Sequence, residues 1–198
     1  MKSVRQLYLH LLPVFALFMF MSAATQAHWQ LNNAQSQLNF LSIKAGNVAE
    51  IHQFKRLSGS VSDTGELELN IEIASIDTLI PIRDERLLDI MFEAVAFPTA
   101  QFTGAIDAEA LAALKVGASQ VVEVSGQLTV RDETVAVSAT LLATRTGNRS
   151  LLVHTLKPVL LDAGSFGLAR AVEELREIAG LPSISLSVPV TFTLAFSG

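Results

Sequence analysis

The sequence predicts an all-β domain with short helices, an eight-stranded antiparallel β-barrel behind an export signal. Three observations predict it. Apolar and polar residues alternate with a period of two along most of the chain, which marks strands with one buried face. About eight such stretches are joined by short connections rich in turn-forming residues, which makes neighbours antiparallel. An open sheet of eight long strands would leave two hazardous edges, and closing it removes both.

The first stretch reads as an address. Lys2 and Arg5 are basic, 7–21 is an almost wholly apolar run of 15 residues, and 22–27 is small and polar. This is the pattern of a secretory signal peptide. Cleavage after Ala27 puts Thr25 and Ala27 at the small-residue positions and leaves a single domain, 28–198, of 171 residues. The run carries His10 and Pro13 and is short of the roughly 20 residues that span a bilayer, so no stable membrane insertion is expected after cleavage. Two of the 14 basic residues leave with the signal, so 12 face 19 acidic ones and the mature formal charge is −7. Such a surface argues against nucleic-acid binding and against electrostatic docking on membranes. Cysteine is absent, which excludes disulfides, thiolate metal sites and a Cys nucleophile. Export without disulfides fits a Gram-negative periplasm.

The strands are expected over 37–43, 48–60, 66–73, 97–106, 119–130, 134–145, 150–161 and 183–196. In the segment 66–73, Leu67, Leu69, Ile71 and Ile73 point one way and Glu66, Glu68, Asn70 and Glu72 the other. In the last strand Ile184, Leu186, Val188, Val190, Phe192, Leu194 and Phe196 form the apolar set, and Pro189 requires an exposed, bulged or unpaired point there. Three helices interrupt the pattern. The first, 81–91, begins with Pro81; the second, 107–115, has Asp107 as N-cap; the third, 171–179, is stopped by Gly180 and Pro182. Their default role is to plug or cover barrel ends.

Alternation alone does not say which way the apolar face points. An outer-membrane barrel would carry aromatic girdles, yet the sole Tyr, Tyr8, lies in the signal and Trp29 is the sole Trp. The apolar face is therefore expected inward. Small residues at Val122, Val124, Gly126, Val135, Val137 and Ala139 leave room inside an eight-stranded wall, whereas Leu and Phe on the last strand would fill it.

Reactive groups are few. His28, His52 and His154 lack the close spacing of a zinc site, so no metal is expected, and His52 is expected to be exposed. Arg83-Asp84-Glu85-Arg86 puts four charges in one helical turn, with either an acid–base pair or a solvated first turn as its reading. Ser165 has no nearby base, and no nucleophile elbow is present, so no catalytic residue is assigned.

Several motifs resemble one family. Trp29-Gln30-Leu31 with Ser36-Gln37-Leu38-Asn39-Phe40 resembles its opening strand, and Ala74-Ser75-Ile76-Asp77-Thr78 followed by Arg83-Asp84 and Leu87 its central signature. Phe97-Pro98-Thr99-Ala100-Gln101-Phe102, Gly126-Gln127-Leu128-Thr129-Val130 and Ser165-Phe166-Gly167 are similar to three further pieces. In this order and spacing, over 29–196, they resemble the YceI-like polyisoprenoid-binding proteins. The chain departs from that pattern at Arg131-Asp132, where the family has a turn glycine, and at Ile43-Lys44-Ala45-Gly46, where it has a His-Gly pair. The helix 171–179 is an elaboration.

The resemblance implies an extended, lipocalin-like barrel whose hydrophobic pore holds the tail of an isoprenoid or isoprenoid quinone in the periplasm. Phe40, Phe54, Phe92, Phe97, Phe102, Phe166, Val124 and Val137 are the pore-lining residues it points to, and Arg83 and Asp84 become a structural brace at the pore mouth. The only expected partner is the apolar lipid, with no other cofactor. An enzyme acting on a barrel-bound lipid through Arg83, Asp84 and His154, and a filled barrel serving as an interaction module, are the alternative functions. The oligomeric state stays open, a homodimer included.

Overall fold

The computed structural model describes residues 27–198, so the expected signal peptide, apart from its last residue, lies outside the described residues. Twelve strand segments make a closed antiparallel barrel of eight strands, four of which are interrupted. β1 (Ala27–Leu31) and β2 (Gln37–Lys44) flank a 3-10 turn, Asn33–Gln35. β3 (Val48–Phe54) and β4 (Leu57–Ser62) flank a break at 55–56. β5 (Glu66–Glu72) and the short β6 (Ile76–Asp77) flank another 3-10 turn, Ile73–Ser75. β7 (Thr99–Ala105), β8 (Ser119–Val130) and β9 (Glu133–Gly147) are unbroken. β10 (Ser150–Thr155) and β11 (Val159–Asp162) flank 156–158, and β12 (Ser187–Ser197) closes the ring.

Closure is made by β12, which pairs β10 on one edge and returns to β1 on the other through Gln30–Ser197 and Leu31–Phe196. Beyond those pairs the same strand holds β2 through Val190–Phe40 to Thr193–Gln37, and β11 through Val159–Val190 to Asp162–Ser187. Pro189 lies opposite Leu160 of β11, in the interval where the β2 ladder has stopped at Val190 and pairing has yet to resume at Lys44–Ile184. The proline falls at the gap that its missing N–H requires.

Each break is satisfied elsewhere, as buried backbone groups must be. At 55–56, the Lys55 N–H donates to the Ser75 carbonyl, the Arg56 N–H to Ser75 Oγ, and the Glu72 N–H to the Arg56 carbonyl. At 156–158 the Leu156 N–H donates to the Thr140 carbonyl, after which β9 and β11 diverge around a cleft lined by 135–140 and 157–162.

The helices take the places expected of them. α1 (Pro81–Arg86) begins on its proline and widens into a π turn, Leu87–Met91, so the single helix expected over 81–91 is two geometries in sequence. α2 (Ala108–Ala113) is capped by Asp107, whose carboxylate accepts the Ala110 N–H at 2.9 Å. It buries Leu111 in the core, where Trp29, Ala143, Leu151 and Phe196 also pack, and so closes that end of the barrel. α3 (Ala169–Ile178) packs on the π turn at the other end.

The β8–β9 turn explains the departure at Arg131. That residue has φ +57°, the left-handed conformation in which glycine is at ease and an arginine is strained. Its guanidinium meets Glu93, another left-handed residue (φ +47°), at 2.6 Å and lies 5.7 Å from the centre of the Phe97 ring. The segment between α1 and β7 is thereby fastened to the barrel wall.

Candidate ligand cavity

Strand alternation turns Leu38, Phe40, Phe54, Leu69, Ile71, Val122, Val124, Leu128, Val137, Ala139, Leu141, Val190, Phe192 and Leu194 to the barrel interior, where they line a cavity of about 510 Å³. Several of these, Phe40, Phe54, Val137 and Phe192 among them, are only half-buried although they face inward, because part of their surface borders the void. Small side chains on β8 and β9 are what leave that space. Gly126 does not line it; a Cβ there would stand 2.5 Å from the Phe102 ring, so the glycine lets that ring lie flat on the wall.

The expected lining residues Phe40, Phe54, Phe92, Phe102, Phe166, Val124 and Val137 all border the cavity. Phe40 and Phe54 stack with centroids 5.3 Å apart, and Phe54 meets Phe92 edge-on at 6.1 Å, so three rings from β2, β3 and the end of the π turn form one continuous face. Phe166 is buried beside Leu128, Leu168 and Val172. Phe97 stands outside the lining, and the expectation for it is corrected: its ring is covered by Arg131.

One end of the cavity is polar. Ser42, Lys44, His52, Arg83, Arg86 and Ser185 line it there, and the three charged residues of the entire lining are all cations. Ile80, Ile82, Arg86 and Ala179 line the cavity and are exposed as well, so it reaches solvent between α1 and the end of α3. This is the mouth. Arg83 donates from Nε to Thr78 Oγ1 at 2.8 Å, from one terminal nitrogen to the Thr78 carbonyl at 2.6 Å and from the other to Glu50 at 2.5 Å. Asp84 accepts the Thr78 N–H at 2.9 Å and its hydroxyl at 2.5 Å. Asp84 itself does not line the cavity; with Thr78 it holds Arg83 in place.

His52 reverses its expectation of exposure, being only 4% exposed. On β3 the inward parity is Glu50, His52 and Phe54, and the apolar Ile51 faces out at 66% exposure. Alternation is inverted near the mouth because polar groups are wanted inside. His52 Nε2 and Ser42 Oγ lie 2.8 Å apart. Burial, and then the charge of Arg83, hold the His52 pKa below its usual value. Glu50 bonds Lys44 at 2.7 Å as well as Arg83, and the Lys44 bond leads in depressing its pKa, against burial and with help from Arg83. Sequence reasoning missed His52, Ser42, Lys44 and Arg86 at this site; the inverted parity of Ile51 and His52 was the signal that could have found them.

His154 sits on β10 opposite Leu142 and Thr193, outside the lining, so the structure does not bring it together with Arg83 and Asp84. Among the described residues no three His, Asp or Glu side chains are grouped to hold a metal ion, and no helix is long and apolar enough to cross a membrane.

The family model for the YceI-like domain matches residues 29–196. The chain belongs to the YceI-like domain family. The YceI-like barrel is 34% identical to a structure described as a polyisoprenoid binding domain from Saccharophagus degradans implicated in plant cell wall breakdown, with a TM-score of 0.85 over 87% of this chain and 99% of that one. It also shares its fold with BcnA of Burkholderia cenocepacia, at 20% identity and a TM-score of 0.62, over 83% of this chain and 98% of that one. No curated protein sequence matches this YceI-like chain.

Proposed function

We propose that this protein is a periplasmic carrier or store that holds the chain of an isoprenoid lipid or isoprenoid quinone inside its barrel. The observation that carries the proposal is the cavity of about 510 Å³, walled by aliphatic and phenylalanine side chains along its length and polar at one end only. That volume falls within the roughly 300–1,000 Å³ of sites that enclose small molecules. Each methylene withdrawn from water contributes about 0.8 kcal/mol, so a long prenyl chain binds well without a polar anchor. The 34% identity to a polyisoprenoid binding domain supports this choice of ligand, and the N-terminal export pattern supports the compartment.

A binding role is favoured over catalysis because the charged pair suspected of acid–base work is engaged. Both Arg83 and Asp84 are bonded to Thr78, and His154 is elsewhere. The test is organic extraction of the protein purified from its own host, followed by mass spectrometry. An isoprenoid in the extract is the expected result. An empty barrel that also takes up no added quinone would overturn the proposal.

A further inference from the structure

His52 leaves one polar atom unaccounted for. The residue is 4% exposed, its Nε2 lies 2.8 Å from Ser42 Oγ, and its Nδ1 is buried with no hydrogen-bond partner. That orphan decides how the pair shares its hydrogens. A doubly protonated ring would present a second buried N–H with nothing to receive it, so the ring carries one hydrogen. Burial and the charge of Arg83, which lower the His52 pKa, act in the same direction. Buried N–H groups are almost never left without an acceptor, whereas an unshared lone pair is better tolerated. The single hydrogen therefore belongs on Nε2, where it donates to Ser42 Oγ.

Ser42 is left with a hydroxyl hydrogen to give. Its Oγ has no second partner among the described residues, and Ser42 shares the inward parity of β2 with Leu38 and Phe40, so its side chain faces the cavity. Phe40, two residues back on the same face, presents a flat ring 5.2 Å from that of His52. The cations of this end are matched by acids. Lys44 and Arg83 share Glu50, and Arg86 has Asp84, Glu85 and Asp89 on its own segment, with exposed Glu173, Glu174 and Glu177 on the helix that borders the mouth. The polar end thus offers one uncharged donor and no surplus of positive charge, which suits a neutral oxygen better than a phosphate.

We propose that the Ser42 hydroxyl, oriented by His52, donates to a carbonyl oxygen of an oxidised isoprenoid quinone and thereby discriminates against the quinol. This rests on the carrier reading and deepens it. A carbonyl only accepts, so the two hydrogens of the pair are both matched: Nε2–H to Ser42 Oγ, and Ser42 O–H to the quinone. A quinol hydroxyl at the same place brings a third hydrogen and no additional acceptor that is free of the others. If it donates to Ser42 Oγ, the serine hydrogen is stranded; if the serine donates to it, its own hydrogen is stranded in apolar surroundings. If the serine turns its hydrogen to Nε2, the ring must carry its own on the orphaned Nδ1. In every arrangement one buried donor goes unmatched, and that cost falls on the reduced ligand alone.

The experiment is anaerobic uptake, by the mature protein from detergent micelles, of a prenyl benzoquinone, its quinol and squalene, an isoprenoid hydrocarbon without a head group. The infrared carbonyl band of the bound quinone is recorded alongside. Wild type should prefer quinone to quinol about tenfold, relative to empty micelles, and should hold the quinone with its carbonyl band below the frequency seen in alkane solvent. Ser42→Ala should lose both the preference and the shift. His52→Phe frees the serine to turn, so it should keep the shift and lose the preference. Equal uptake of quinone and quinol, an unshifted band, or a preference kept in either variant would overturn the proposal, and the wild-type measurements decide it even where a variant fails to fold. Squalene reports on the barrel alone: if it enters and the preference is absent, only this inference falls, whereas a barrel that takes up none of the three ligands ends the carrier reading as well.

Discussion

The carboxylate of Glu93 and the guanidinium of Arg131 lie 2.6 Å apart, and both residues have positive φ. Two strained turns are thus tied to one another, one in the segment that covers the barrel and one in the β8–β9 hairpin. Replacing Arg131 separates the two contributions. Arg131→Gly loses the ion pair and relaxes the turn; Arg131→Ala loses the pair and keeps the strain. In denaturant unfolding the alanine variant should be less stable than the glycine variant by about 1 kcal/mol. Equal stabilities would show that the turn stores no strain.

Thr78 is the most enclosed polar residue of the mouth, at 2% exposure, and its hydroxyl serves Asp84 and Arg83 together. Thr78→Val keeps the shape and removes both bonds. A loss of about 1–3 kcal/mol in unfolding free energy is expected, since a carboxylate and a guanidinium each lose a partner. A neutral substitution would mean that water replaces the hydroxyl.

Ala139 lines the cavity from β9, and a phenylalanine there would occupy the space left by the small side chains of this wall. Ala139→Phe should reduce uptake of a prenyl quinone about tenfold or more, as ligand and ring compete for one volume. Stability should change by less than about 1.5 kcal/mol, because the added ring fills a void rather than a packed core. Undiminished uptake would place the ligand elsewhere.

Asp77 offers a pH signature. Its hydrogen bond from Lys55, followed by those from the Leu79 N–H and Gln53, lowers its pKa from 3.8 to about 2. Between those values the unfolded chain binds a proton that the folded one refuses. The contribution is therefore complete above the unfolded value and is lost as pH falls towards about 2. Denaturant melts over this window should show the stability gap between wild type and Asp77→Asn closing as pH falls. A constant gap would show that Asp77 acts through geometry alone.

Much of the fold was legible because alternation is a local property. The strand expected over 119–130 is β8 to the residue, and Asp107 caps α2 as its chemistry requires. The strands expected over 48–60 and 150–161 are each interrupted, which no local pattern announces: the breaks are satisfied by Ser75 and Thr140, remote in sequence. The site was legible in its greasy part and not at its mouth. Phe54 and Val137 followed the inward parity, whereas His52 carries a polar side chain at an inward position and was misread for that reason. Phe97 was misplaced because its neighbour Arg131, far along the chain, decides where the ring goes.

β12 touches β1, β2, β10 and β11, so the final strand of the chain is also the one on which four others depend. Its residue Ser197 pairs with Gln30, 167 positions earlier in the sequence. Joining them closes the longest loop among the described residues, which is entropically the slowest kind of contact to form. During synthesis the cylinder cannot close until β12 has emerged, and a nascent chain that lacks it carries two open sheet edges. Closure of this barrel therefore comes late, and whatever shields the growing chain from aggregation must stay with it until β12 is available.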